Sequence, residues 1–304
     1  MAKAILLEPF RLVEAIYVLI RRPSIKRNSP IFILGFYRSG TTWLQELMDC
    51  DPDLCSPTIF QVMLPEFMLI FESVFKPVLQ FFSKLLKIQN PYHRLAFDWN
   101  YPGEDDVAIN AFSYLCDFNR IFQYPSQADS LLERHYIKPD RQLLKSWERA
   151  HLYYLDKLSL KYRKKRLLLK SPPNTGRIGM LKKMYPDAKF IFIKREEKIC
   201  IQSNKRLWKI NEPFSFERYQ KERAEHAISK MYATFLNCYQ RDKTLLKSNE
   251  LIEISFEQLI ESPAEVLENI YSALELDDSN EKRNLRQMRI NERKGYQPIN
   301  HQSG

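Results

Sequence analysis

Gly35 and Gly40 stand five positions apart in a chain that has seven glycines in all, so scarce backbone freedom is concentrated at one loop. Between them runs Phe36-Tyr37-Arg38-Ser39, and Thr41-Thr42-Trp43-Leu44 follows. A glycine-bounded loop between a short apolar run and a helix aims several backbone N–H groups, and the positive end of the helix, at one point. That arrangement binds phosphate or sulfate. The spacing is that of a Walker A loop, but that motif continues with lysine after its second glycine. Here Thr41 follows, and the cation lies inside the loop as Arg38. A guanidinium there can fork onto a bridging oxygen or a transferring group.

Three further groups can do chemistry. Pro102-Gly103 is a turn followed by Glu104, Asp105 and Asp106. Adjacent carboxylates favour the first turn of a helix because of its dipole, and one of them can equally serve as a general base. Lys170 closes the apolar run Leu167-Leu168-Leu169 and is followed by Ser171-Pro172-Pro173-Asn174. The prolines stop the strand and leave Lys170 at its carboxyl end, where ligands bind in open α/β sheets. Arg195 ends the run Lys189–Lys194, and Ser203 lies eight residues on. An arginine fork plus a hydroxyl two helical turns later can converge on one phosphate. His135 and His151 stand alone and read as structural or surface residues.

These side chains must be held by strands and helices. Ile31–Leu34, Leu167–Leu169, Lys189–Lys194 and Leu251–Ile254 read as short buried strands. Thr41-Thr42 opens a helix with Trp43, Leu44, Leu47 and Met48 on its apolar side. Asp51-Pro52-Asp53 is a turn, and Ile178, Leu181 and Met184 mark a short helix. Ser262-Pro263 opens another, with proline first. From Ile59 to Leu86 the chain is greasy: Phe67, Phe71 and Phe75 recur at helical spacing, joined by Phe60, Met63, Met68, Phe81 and Phe82. Most of that stripe is expected in the core, with Pro65 and Pro77 dividing it into short helices. Any uncovered part would form an apolar pocket wall. Residues 107–160 read as mostly helical, and the basic run Lys161–Arg166 as a solvated turn.

The segment Gly35–Leu44 resembles the 5′-phosphosulfate loop of the sulfotransferases that use 3′-phosphoadenosine-5′-phosphosulfate (PAPS), which ends Lys/Arg-Ser-Gly-Thr-Thr. Three later segments resemble the same family: Lys170–Asn174, Tyr185–Ser203 and the stretch Leu251–Leu259. Together they cover roughly residues 30–260, in order. The resemblance implies a single α/β domain with a central parallel β-sheet flanked by helices, akin to P-loop nucleotide kinases. It implies PAPS as cofactor, 3′-phosphoadenosine-5′-phosphate (PAP) as its product, and no metal. It places Arg38, Ser39, Gly40, Thr41, Thr42 and Trp43 on the 5′ side of the nucleotide, and Arg195 and Ser203 on the 3′-phosphate. Arg293 and Lys294 match an Arg-Lys-Gly triplet that binds the 3′-phosphate in the cytosolic members. Arg38 and Lys170 would stabilise charge during transfer. Glu104 is the first choice for the base and Asp105 the second, matching a Pro-Glu-Glu-Asp-like segment. Two departures stand out: Gly103 occupies the first acidic place, and Asn174 replaces a common histidine and cannot take a proton. Phe256 and Glu257 read as structural.

Length and charge bound the rest. The 304 residues suit one domain, with residues 1–29 as an N-terminal helical segment and 55–165 as a mainly helical, acceptor-side insertion. A net charge of +10 suits an anionic cofactor, an acidic acceptor or a membrane surface. No zinc-finger, RNP or heptad pattern appears, so nucleic acid is not an expected partner. Five cysteines without a Cys-x-x-Cys pair suit a reduced, cytoplasmic protein. Ala4–Ile20 is interrupted by Glu8, Pro9, Arg11 and Glu14, too often for a spanning helix. Leu12, Val13, Ile16, Leu19 and Ile20 fall on one face, with Arg21-Arg22 behind them. Packing on the domain is the favoured reading; peripheral contact with a membrane interface is the alternative. The acceptor is expected to be a small-molecule or lipid hydroxyl, such as a sterol. A carbohydrate stacked on Trp99 and Tyr101 is the alternative acceptor. A nucleotide kinase or NTPase and a non-catalytic nucleotide-binding protein are the rival functions. No oligomeric state is read from the sequence.

Overall fold

The structure, a computed structural model, describes residues 2–21, 29–89, 97–113, 117–163 and 165–292. In chain order the elements are α1 (Ala2–Arg21), β1 (Ile31–Leu34), α2 (Thr41–Met48), β2 (Leu54–Cys55), α3 (Ile59–Met63), α4 (Glu72–Leu85), α5 (Asp105–Ser113), α6 (Asp117–Gln123), α7 (Ala128–Leu132), α8 (Arg141–Lys161), β3 (Arg166–Lys170), α9 (Ile178–Met184), β4 (Lys189–Lys194), α10 (Glu197–Ile210), α11 (Lys221–Asp242), β5 (Leu251–Ser255), α12 (Phe256–Glu261), α13 (Pro263–Ala273) and α14 (Asn280–Glu292).

Five parallel strands form one sheet in the order β2-β3-β1-β4-β5. All four residues of β1 are buried, because helices cover both faces of the sheet. Side chains alternate between those faces. Phe32, Leu34, Leu167, Leu169, Phe190 and Phe192 pack with Tyr154, Leu158 and Tyr239 of α8 and α11. Ile31, Ile33, Leu168, Ile191 and Ile193 pack with Leu44 and Leu47 of α2 and with Leu267 and Ile270 of α13. The chain leaves central β1, builds β2 and β3 on one side, then crosses to β4 and β5 on the other. The carboxyl end of β1 is therefore flanked by the end of β3 and the end of β4. That is the switch-point crevice where open α/β sheets bind ligands.

The expected strands form within one residue of their predicted ends, and the short edge strand β2 is added to them. Proline positions are read less well. Pro65 does separate α3 from α4, but Pro77 lies inside α4 without ending it. Its ring is on the exposed face, where water can serve the carbonyl left without a donor. The stripe expected mostly in the core leaves Phe81 and Phe82 exposed, whereas Phe67, Phe71 and Phe75 are buried or half-buried. Their rings gather around Phe10 of α1, with centroids 4.8, 5.0 and 6.0 Å away, so they form the seam between two helices. Beneath that seam Glu14, a mere interruption in the sequence pattern, is fully buried. It accepts from the N–H groups of Leu69 and Ile70 and pairs with buried Lys157. The N-terminal helix thus packs on the domain.

Candidate active site

The loop after β1 is shaped by its glycines. Gly35 has φ +147°, and a Cβ there would lie 2.6 Å from Ser39 Oγ and 2.9 Å from the Ile193 carbonyl. Gly40 has φ +97°, and a Cβ would lie 2.4 Å from the Phe256 ring. Neither site accepts a side chain. Gly40 is also the N-cap of α2 and supplies no side chain to that helix end. The first-turn N–H groups of α2 therefore face outward at the crevice without an intrahelical acceptor. Thr175 Oγ1 accepts from the Gly35 N–H at 2.9 Å, and Asn204 Nδ2 donates to the Tyr37 carbonyl at 2.9 Å, so the loop is braced from both sides.

On the β4 side a cationic cluster forms. Arg38 sits in the left-handed region at φ +71°, a conformation that costs a non-glycine residue roughly 1–3 kcal/mol unless its surroundings hold it. They do: Arg38 Nε donates to Ser203 Oγ at 3.1 Å, and its carbonyl accepts from Arg195 Nη1 at 2.7 Å. The Arg195 guanidinium lies 3.9 Å from the centroid of the Phe256 ring. Phe256 lies against both the loop glycine and the arginine, so it shapes this side of the loop. Its place directly after β5, the strand paired with β4, was the available signal. Arg293 and Lys294 lie outside the described residues.

On the β3 side Lys170 Nζ donates to Glu104 Oε1 at 2.7 Å. Lys170 is 3% exposed and Glu104 32%, so the carboxylate, not the ammonium, faces an incoming molecule. The segment leading to Glu104 is clamped. The Gly103 N–H donates to the Pro57 carbonyl at 2.7 Å, and Gln45 Nε2 of α2 reaches the Gly103 carbonyl at 3.5 Å. A Cβ at residue 103 would lie 2.6 Å from Val62, which explains why glycine stands where the resemblance has an acid.

The neighbouring acids differ from Glu104. Asp106 accepts from Arg177 Nη1 at 2.8 Å in a buried pair. Asp105 is fully buried, and its Oδ2 accepts from Asn174 Nδ2 at 3.1 Å. Burial, and then the charge of Asp106, push its pKa up to about 7. In an unfolded chain that carboxyl ionises near pH 4. Between about pH 4 and 7 the folded state holds the extra proton, so stability falls as pH rises through that window. Asp105→Asn mimics the protonated form. It should raise unfolding free energy by about 1–3 kcal/mol at pH 8, and by little at pH 4, in paired urea titrations. A variant equally or less stable at both pH values would reject the protonated assignment. Neither lone histidine offers a base. Burial holds His135 down to about 4 and His151 to about 3, and His151 stacks on Trp147 with centroids 4.5 Å apart.

Three buried donors around the crevice have no partner among the described residues: Ser39 Oγ, Ser171 Oγ and Arg195 Nε. Orphaned donors beside a glycine cradle suit a polyanionic nucleotide. The sequence of residues 30–280 matches the model of the sulfotransferase family. The chain belongs to the sulfotransferase family. Among its relatives is the omega-hydroxy-beta-dihydromenaquinone-9 sulfotransferase Stf3 of Mycobacterium tuberculosis, 26% identical over 260 residues. The match covers 83% of this chain and 64% of that protein, so the chain spans less than two thirds of its curated relative. The same protein of Mycobacterium bovis matches equally. The fold is shared with crystal structures of two mycobacterial sulfotransferases. STF1 of Mycobacterium tuberculosis superposes with a TM-score of 0.71 at 21% identity, over 93% of this chain and 76% of its own. STF9 of Mycobacterium avium gives 0.69 at 20%, over 87% and 68%. Among the described residues no group of acidic, histidine or cysteine side chains is arranged to hold a metal.

Proposed function

We propose that this sulfotransferase moves a sulfuryl group from PAPS to the hydroxyl of an apolar alcohol. The observation that carries the reading is the glycine loop flanked by Arg38, Ser203 and Arg195 on one side and by Lys170–Glu104 on the other. The nucleotide supplies the activated sulfuryl group. The N–H groups of residues 40–42 and the Ser39 hydroxyl hold its 5′ side, while the Ser39 N–H closes the loop turn on the Phe36 carbonyl. Arg195 and Ser203 hold the 3′-phosphate, and Arg38, drawn to Ser203, joins them. Glu104 takes the acceptor proton on Oε2, because Lys170 already occupies Oε1 and fixes the carboxylate. Asp105 is sealed from an acceptor and supports Asn174 instead.

Two observations favour an apolar alcohol over a sugar. The curated relative's name gives a hydroxylated dihydromenaquinone as its acceptor. The Trp99 ring, expected to stack a sugar, is instead packed at steep angles against Phe60 and Phe97, with centroids 6.2 and 5.1 Å away. The test offers equal concentrations of an isoprenoid alcohol, a sterol and a set of sugars with labelled PAPS. Sulfation of the isoprenoid alcohol or sterol is expected. Sugar sulfation alone would move the acceptor class to carbohydrate, and PAP binding without any turnover would favour a non-catalytic nucleotide-binding protein.

A further inference from the structure

The outer faces of α1 and α4 are apolar where a soluble helix is ordinarily polar. On α1, Leu12, Ile16 and Leu19 recur on one side and are exposed, Leu19 by 74%. On α4, Val78, Phe81 and Leu85 do the same, Phe81 by 63%. The two helices meet through Phe10 and Phe75, so the stripes lie on neighbouring helices. Two such stripes side by side mark a contact surface rather than scattered surface residues.

The charges on these helices are sorted. Glu14 turns inward to Lys157, and Glu72 is held by Lys76 and Lys161. Glu8 is matched by Arg11 at 2.9 Å. The exposed charges at the far ends are basic: Arg21 on α1, and Lys84 and Lys87 on and after α4. A second copy docking by the same face would bring these cations against their own kind. An anionic bilayer would neutralise them while taking up the apolar stripes. Among the described residues no helix is long and apolar enough to cross a membrane, so contact would be from one side.

We propose that α1 and α4 form a docking surface for an anionic lipid bilayer. Helix α4 is tied to the segment that leads to the candidate site. Gln80 Oε1 of α4 accepts from the Trp99 N–H at 3.0 Å, and Ser83 Oγ accepts from its ring nitrogen. Trp99 begins the segment that ends in Glu104. Docking by this face thus sets the acceptor flank near the bilayer, and it stands whether or not the sulfuryl transfer above is correct.

The test is co-sedimentation of the full chain with vesicles of phosphatidylcholine alone or with about one third phosphatidylglycerol. The wild type should bind the anionic vesicles, and salt should weaken binding. The triple variant Leu19→Ser, Phe81→Ser, Leu85→Ser keeps the net charge, so it separates apolar insertion from plain adsorption of a basic protein. Its partitioning should fall by roughly tenfold or more, with the near-ultraviolet circular dichroism unchanged. A second variant, Lys84→Gln with Lys87→Gln, should lose the preference for anionic vesicles. Equal binding by wild type and triple variant would overturn the proposal. So would a wild type that ignores both vesicles, or one that sediments as a dimer which the triple variant dissociates.

Discussion

Glu104→Gln should lower turnover by about 10²-fold or more while PAP affinity stays at the wild-type value. The amide keeps the size and can still meet Lys170, but it cannot accept the acceptor's proton. The geometry makes this substitution more informative than any other in the acidic segment. Glu104 alone of the three carboxylates reaches solvent to a substantial extent, while Asp105 and Asp106 are buried and engaged with Asn174 and Arg177. Lys170 contributes by fixing one carboxylate oxygen at 2.7 Å, so the other is presented in one orientation. Single-turnover measurements with saturating donor separate the chemical step from binding. Wild-type turnover in the variant would remove Glu104 from the reaction. A loss of PAP affinity equal to the loss of rate would instead make Glu104 a binding residue. Lys170→Met provides the companion result: a smaller carboxylate-orienting effect, with the same nucleotide affinity if Lys170 acts only through Glu104.

Much of this arrangement was legible in the sequence because it depends on local rules. Short apolar runs read as strands whose carboxyl ends carry Lys170 and Arg195. A glycine spacing gave the loop, and about two turns of α10 carry Ser203 back toward it. What was not legible depends on packing between distant segments. Phe256 follows the last strand and looks structural until β5 is placed beside β4, which brings its ring against Gly40 and Arg195. Gly103 looks like a lost acid until Val62 is seen occupying the space of its side chain. The resemblance ranks Glu104 before Asp105, and the fold adds that Glu104 faces solvent while Asp105 and Asp106 are buried. The Phe67/Phe71/Phe75 stripe was ambiguous for the same reason: periodicity says that a face is apolar, not what covers it. Arg38 is the subtlest case. Its position in the loop suggests the transferring group, whereas in the structure its side chain bonds Ser203 from a left-handed backbone.

Arg195→Ala should weaken PAP binding by about 2–4 kcal/mol, or roughly 30- to 1000-fold, because a partly buried, charge-assisted contact is removed. Three observations support so large an effect. The guanidinium is half-buried, and burial lowers its pKa from the ordinary arginine value. It is stacked at 3.9 Å on Phe256, so its orientation is fixed before the nucleotide arrives. Its Nε has no partner, so a donor remains ready for a phosphate oxygen beside the Ser203 hydroxyl. The same side chain also supports the loop, through the 2.7 Å bond from Nη1 to the Arg38 carbonyl. A loss of affinity has two possible routes, and adenosine 5′-phosphate separates them because it lacks the 3′-phosphate. If Arg195 reads that phosphate, affinity for PAP falls while affinity for adenosine 5′-phosphate holds. If it only props the loop, both fall together and the 3′ assignment fails. Arg195→Lys refines the result. Lysine keeps the charge but has neither the fork nor the planar stack, so its PAP affinity should lie between those of alanine and arginine, closer to alanine.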